Sequence, residues 1–398
     1  MTVIGGARME TVLSQLRPWS QPAPTISKDE YAARLARAQE LMEADGVDVL
    51  MVGAGASLRY FSGVGWEQSE RLVVLLLPKS GDPLFVCPKF EEGTLEQSKA
   101  IDASVRCWQE HESPYALACS ALKELSANKI AVDPAMAFTM TERMRNAAPS
   151  AQLIDASRII DRCRSIKSPA EIALLQQAKS MTLEVHKHAA QILHPGIDTN
   201  QVARFIDAAH RALGASGSSF CIVLFGKATS FPHGVPYPQE LREDDVVLID
   251  TGCAVQGYHS DITRTYVFGK ASDEIRTIWA LEKEAQHAAF AAAQPGVACE
   301  HVDHAARAVL ERAGLGPDYE LPGLPHRTGH GVGLSIHEAP YLVRGDKTPL
   351  SAGMCFSNEP TIVVPDKFGV RLEDHFHMTD NGAQWFTHPS HSIDAPFG

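Results

Sequence analysis

From residue 27 onward, apolar runs of strand length alternate with segments whose apolar residues recur at helical spacing. Val47–Val52, Leu72–Leu77, Leu84–Val86 and Ile130–Val132 are such runs and predict strands. Tyr31, Leu35, Ala38, Leu41 and Met42 recur as one face of a helix, and residues 115–126 and 139–147 are helical segments too. Ser27-Lys-Asp-Glu30 is a capping box that satisfies the amides a first helical turn leaves unpaired, and Gly46 ends that helix. Residues 27–165 therefore predict an α/β unit. It carries no Gly-rich phosphate loop and no nucleophile elbow. A second capping box, Ser168-Pro-Ala-Glu171, has proline at the first helical position and opens a long helix. It sets the domain boundary near Arg164–Lys167. Residues 1–26, with Pro18, Pro22 and Pro24 around Trp19, predict an extended arm.

Residues 166–398 form the second domain. Helical segments at 169–193 and 199–214 precede strands at 219–225, 246–251 and 262–268. Helical segments at 272–293 and 300–313 then precede a strand-rich end. The order helix, helix, strands thus occurs twice, a weak internal duplication. An α+β unit of this kind can place a polar site between its halves.

Composition narrows the class. With 398 residues and 44% hydrophobic content, the chain can build two cores. A formal charge of −12 argues against a nucleic-acid surface and favours a soluble cytoplasmic protein. No stretch of 18 apolar residues exists, and the first 26 residues lack the apolar core of a signal peptide, so no membrane partner is expected. The 8 cysteines form no Cys-x-x-Cys pair and predict buried free thiols in a reducing compartment.

The chemistry concentrates between Asp250 and Glu373. Asp250 closes the apolar run Val246–Ile249, and Asp261 opens the run Ile262–Phe268, with turn signals at Gly252 and Gly257 between them. Two antiparallel strands joined this way bring two carboxylates together, and without a cation one of them must stay protonated. With His330, Glu359 and Glu373 they make an oxygen-rich set suited to Mn²⁺, Fe²⁺, Co²⁺ or Zn²⁺ at two adjacent positions. Two such ions roughly 3.5–4 Å apart can acidify one water and clamp a tetrahedral intermediate. Taken singly, each acid has a plainer reading: Asp261 pairs with Arg264, and Glu373 with Arg371. Their joint setting beside strands and turns favours the site. His326, His330 and His337 share one Gly-rich stretch, which also points to a site. That stretch is no dinucleotide fingerprint, since its sixth position is Leu334, and His337-Glu338 is no zinc helix, since Tyr341 and Pro340 follow. His233 lies on a loop bounded by prolines, and alone it decides nothing.

At these residues the chain resembles the pita-bread metallopeptidases, the family of methionine aminopeptidase, aminopeptidase P and prolidase, in the branch of the last two. The resemblance rests on Leu-Ile-Asp250-Thr-Gly, Gly-Tyr-His-Ser-Asp261-Ile-Thr-Arg-Thr, His326-x-x-Gly-His330-Gly-x-Gly, His337-Glu, Asn358-Glu359-Pro and Val-Arg371-Leu-Glu373-Asp. It covers about 165–385, and residues 27–160 look like the creatinase-type N-terminal domain of that branch. It implies a C-terminal pita-bread fold with an α/β creatinase-like domain before it. It also implies two divalent ions, Mn²⁺ first and Co²⁺ or Zn²⁺ otherwise. Asp250, Asp261 and Glu373 would hold one ion, and Asp261, His330, Glu359 and Glu373 the other, with Asp261 and Glu373 bridging. The implied reaction is attack by a metal-bridging hydroxide on the carbonyl before proline in Xaa-Pro dipeptides or short Xaa-Pro peptides. Glu359 would be the proton shuttle. His233 and His337 would contact substrate and intermediate, and His326 and Arg371 would line the site or order its bridging carboxylates.

One departure bears on rate. That branch commonly has a tyrosine where this chain has Val363, two residues beyond Thr361, and losing such a hydrogen bond costs about 10²–10³ by analogy with oxyanion donors. The alternatives are aminopeptidase P activity on longer peptides, or a non-peptidase on this fold. A creatinase-like amidinohydrolase lacks the full ligand set kept here. A dimethylsulfoniopropionate lyase carries an extra acid where this chain has Gly252. A non-catalytic binding protein on the fold would have lost ligands. The resemblance further implies a homodimer or dimer of dimers, with the loop Tyr60–Trp66 near the partner's site.

Overall fold

The computed structural model describes residues 4–397. Residues 25–164 form one compact unit; residues from 165 onward, with the N-terminal segment up to Pro24, form another.

In the first unit, Ser27 accepts a hydrogen bond from the Glu30 amide at 3.2 Å and starts helix Lys28–Asp45, which Gly46 ends in the left-handed region at φ 63°. A six-stranded mixed sheet follows, with spatial order Ser104–Trp108, Leu84–Pro88, Val74–Pro78, Val49–Gly53, Lys129–Val132, Gln152–Asp155. The four inner strands are the apolar runs read from sequence. The two outer ones carry no continuous apolar run because, as sheet edges, they are only partly buried. Helices Pro114–Glu124 and Phe138–Ala147 fall where helical spacing predicts them. The stretch Tyr60–Trp66 is not a presented loop at its start. Tyr60, Phe61 and Ser62 complete helix Ala56–Ser62 and are buried, and Tyr60 donates its hydroxyl to the Cys163 carbonyl at 2.9 Å.

The second unit repeats the order of two helices followed by a sheet. Helices Pro169–Gln191 and Thr199–Ala212, each opened by a capping box, cover an antiparallel sheet of Ser218–Phe225, Asp245–Val255 and Ile262–Phe268. Helices Asp273–Ala292 and Cys299–Arg312 cover a five-stranded sheet of order Glu338–Leu342, Gly329–Gly331, Cys355–Asn358, Asp374–Thr379, Gly382–Trp385. A hairpin, Thr361–Val364 with Phe368–Arg371, lies beside it. Each half has its own apolar core.

The N-terminal segment is not an extended arm. Residues Met9–Leu13 form a short helix, and Val12 and Leu16 are buried in the first of those cores. The Gly5 and Ala7 amides bond the carbonyls of Ala190 and Gln191 at 2.8 and 2.9 Å, satisfying acceptors that a helix end leaves free. Gly5 suits the contact: at φ +82°, a Cβ there would sit 2.8 Å from the Leu193 carbonyl oxygen. Residues 1–3 of the expected arm lie outside the described residues. All eight cysteines are free, with Cys107 and Cys221 half-buried. Among the described residues, no helix is long and apolar enough to cross a membrane.

Candidate metal centre

The two halves meet at the acids. Asp250 sits inside strand Asp245–Val255, paired with Thr263 on one side and Ile222 on the other. Asp261 immediately precedes strand Ile262–Phe268. The chain must pass very close here: a Cβ on Gly252 would lie 1.9 Å from the Ser260 carbonyl oxygen. An acid at position 252, as in the lyase alternative, has no room.

The second half supplies the rest. Gly329 and Gly331 let the strand bearing His330 run against its neighbours, where a Cβ would meet the Ser357 and Glu338 carbonyl oxygens at 2.1 and 2.5 Å. Glu359 follows strand Cys355–Asn358, with its amide bonded to the Thr328 carbonyl at 2.8 Å. Glu373 is pinned to the first half: its amide bonds the Thr263 carbonyl at 3.1 Å, and its Oε2 accepts from the Thr263 hydroxyl at 2.8 Å. Thus the structure brings Asp250, Asp261, His330, Glu359 and Glu373 into one neighbourhood, and Asp261, His330 and Glu373 are almost wholly buried.

The plainer pairings do not form. Arg264 binds Asp374 at 2.7 Å, not Asp261. Arg371 binds Asp250 Oδ2 at 2.6 Å, with its other nitrogens on the Thr263 hydroxyl and the Pro232 carbonyl. Arg371 therefore orders Asp250; its hydrogen bonds do not reach Asp261 or Glu373, the two expected bridging acids.

What remains is a surplus of lone pairs. Asp250 Oδ1 and Asp261 Oδ1 are buried with no hydrogen-bond donor. His330 Nδ1 lies 3.0 Å from the Gly331 carbonyl oxygen, which can only accept, so Nδ1 carries a proton and Nε2 is turned toward the acids. That Nε2 is 3.0 Å from Glu359 Oε1 and 3.7 Å from Asp261 Oδ2. An imidazole lone pair facing carboxylate oxygens needs a proton or a cation between them. The carboxyls show the same conflict. Burial, then the charges of Glu373, Asp250 and Glu359, raise Asp261 well above its ordinary range. Burial, then Glu359 and Asp250, do so for Glu373. Burial would raise Glu359 too, but a second proton on His330, donated through Nε2, together with His326 and Arg371, holds it down to about 2. His330, Glu359 and Glu373 each offer a donor atom within 4.8 Å of the others, and so do Asp261, Glu373 and His375. The donor set fits divalent cations.

A cavity of about 690 Å³ opens onto Asp250, Asp261 and Glu359. Phe220, Ile222 and Ile336 give it an apolar wall, and His233, His326, Arg327 and His337 line it alongside Asp250, Asp261, Glu359 and Arg371. The ring of His337 meets that of His330 edge-on, centroids 4.2 Å apart. His326 has both nitrogens engaged: Nδ1 donates to the Arg327 carbonyl at 2.7 Å, so Nε2 accepts from the Thr361 hydroxyl at 2.9 Å. Val363 is buried in the hairpin, bonded to Gly323, and does not line the cavity.

Sequence reasoning missed several participants. Phe220, Ile222 and Ile336 read only as strand or loop apolar residues. Thr263 and His375 carried a usable signal: each lies two residues from an acid of the site, and strand alternation puts such neighbours on one face.

A hydrolytic metal centre between two helix-and-sheet halves is the class these features define. The chain belongs to metallopeptidase family M24, whose model matches residues 173–380, and the Creatinase/Prolidase N-terminal domain matches residues 34–166. It is 37% identical over 356 residues to the probable dipeptidase PepE of Mycobacterium tuberculosis, covering 89% of this chain and 93% of that protein. The crystal structure of dipeptidase PepE from Mycobacterium ulcerans matches at TM-score 0.85 and 36% identity over 93% of this chain and 98% of that one. The prolidase of Thermococcus sibiricus matches at TM-score 0.84 and 30% identity, over 92% and 98%. The fold is therefore the pita-bread fold preceded by a creatinase-type α/β domain.

Proposed function

We propose that this chain is a metal-dependent dipeptidase that cleaves the bond before proline in Xaa-Pro dipeptides or short Xaa-Pro peptides. Asp250, Asp261, His330, Glu359 and Glu373 would hold two divalent cations, Mn²⁺ first and Co²⁺ or Zn²⁺ otherwise. The observation that carries this reading is the set of buried ligand atoms without hydrogen-bond partners, Asp250 Oδ1, Asp261 Oδ1 and His330 Nε2. When bound, the cations supply Lewis acidity and an acidified water.

The chain's own residues do the rest. Arg371 fixes Asp250, and Thr263 fixes Glu373. Glu359 takes a proton during attack and returns it to the proline nitrogen, which must be protonated to leave as a secondary amine. Phe220, Ile222 and Ile336 offer apolar surface to the proline ring and its neighbour. Of the two cavity arginines, Arg371 is committed to Asp250, leaving Arg327 to meet a substrate carboxylate. His233 and His337, both exposed along the cavity, contact the substrate. His326, with both nitrogens engaged, shapes the wall. The active species would be a homodimer, which light scattering tests.

The experiment is hydrolysis of Ala-Pro, Leu-Pro and an Xaa-Pro tripeptide by metal-stripped protein before and after Mn²⁺, Co²⁺ or Zn²⁺. Dipeptide cleavage restored by metal and lost in Glu359→Ala supports the reading. Cleavage of the tripeptide alone moves the activity to that of an aminopeptidase P. Silence on all three, with metal bound, sinks the Xaa-Pro assignment.

A further inference from the structure

His375 has no place in the ligand set above. It is fully buried, and it shares a strand face with Glu373 two residues earlier, while Asp374 and Phe376 turn to Arg264 and the apolar core. Its Nε2 is 3.4 Å from Glu373 Oε1. That is long for a hydrogen bond, for which N···O runs about 2.7–3.2 Å. It matches two donors around one ion, since ligands each about 2.1 Å from a cation lie roughly 3.0–3.4 Å apart. Its Nδ1 has no partner among the described residues, so hydrogen bonding does not explain why this ring is buried. The donor atoms of Asp261, Glu373 and His375 lie within 4.8 Å of one another, as do those of His330, Glu359 and Glu373. The two imidazoles thus stand on either side of Glu373, with centroids 6.4 Å apart.

We propose that His375 is a sixth protein donor at this centre, coordinating through Nε2 one of the two cations alongside Asp261 and Glu373. The inference rests on the reading that the cavity holds two divalent cations, and it sharpens which ones. A second imidazole among carboxylates shifts preference from Mn²⁺ toward Co²⁺ and Zn²⁺, because nitrogen donors favour the later metals.

The test uses the full chain, stripped and reloaded with Co²⁺ alone or Mn²⁺ alone. In proton NMR of the cobalt-loaded protein, each coordinated imidazole that keeps its remaining N–H gives one hyperfine-shifted, solvent-exchangeable signal. Wild type is expected to show two, and His375→Ala and His375→Gln one each. Calorimetry is expected to show one ion weakened by at least about tenfold to hundredfold, the cost of losing even an outer partner of a ligand. Cobalt should suffer more than manganese. His375→Gln keeps an N–H able to reach Glu373 but has no imidazole, so it separates coordination from hydrogen bonding and stands in if His375→Ala does not fold. A single imidazole signal in wild type, or wild-type affinity in His375→Gln, overturns the proposal while leaving the metal centre intact. Failure of wild type to bind either ion overturns both.

Discussion

Glu373 and Asp374 are adjacent in sequence, both buried, and chemically opposite. Asp374 belongs to a closed account: Oδ1 accepts from Arg264 and Thr387, and Oδ2 from Arg264 and Gln286. Glu373 faces the other way, toward Asp261, Glu359 and Asp250, where four carboxylates share one buried arginine already bound to Asp250. Asp374 is saturated by protein alone, with its charge facing that of Arg264. The cluster around Glu373 is saturated only if protons or cations enter. Burial cannot distinguish the two, since both acids are almost inaccessible. Hydrogen-bond accounting does, and it separates a structural ion pair from a functional centre.

The comparison breaks most visibly through Glu359. Replacing it with alanine is expected to lower kcat on Ala-Pro by about 10²–10⁴, the range for a lost general acid–base, with little change in thermal midpoint. Steady-state kinetics beside a melting curve checks this, and a retained rate would deny Glu359 its proton role. The saturated cluster should fail in the opposite sense. Arg264→Ala leaves Asp374 charged and unpaired in the core and is expected to cost about 3–5 kcal/mol in urea unfolding. A loss below about 1 kcal/mol would mean Asp374 finds another partner.

Metal should act on one cluster only. Free Mn²⁺ at about 100 times its dissociation constant is expected to stabilise the stripped wild type by about 2.7 kcal/mol for each site filled, and Asp261→Asn by much less. A chelator-insensitive melting curve would argue against the unsaturated reading.

A smaller effect concerns a third buried set behind the Asp261 hairpin. His210 bonds the Thr182 and Ser218 hydroxyls, and burial, against a weaker pull from Asp207, lowers it to about 4. Its unfolded value is 6.5, so between pH 6.5 and 4 the unfolded chain binds more protons than the folded one. Stability is therefore lost as pH falls through that window. His210→Gln should flatten the slope of unfolding free energy there, and an unchanged slope would assign it to other groups.

Much of this was legible in the sequence. The Ser27 cap, the Ser168 capping box and the inner strands follow periodicity and turn residues directly, and the four acids stand beside apolar runs, while His330 showed only through its Gly- and His-rich stretch. The edge strands Ser104–Trp108 and Gln152–Asp155 were silent because a half-exposed strand needs no apolar run. The helix Met9–Leu13 was hidden by its shortness and by the flanking prolines; a core contributed by sequence-distant helices holds it. Arg264 and Arg371 each had an acid nearby in sequence, yet both chose tertiary partners that no local pattern shows.

The central claim is that the acids between the two halves form a cation centre. Metal content after equilibrium dialysis against Mn²⁺ tests it most directly. Two ions per chain are expected in wild type and in His210→Gln, and fewer than one in a chain carrying Asp261→Asn with Glu373→Gln. Equal metal content in wild type and the double variant, or none in either, would contradict the account.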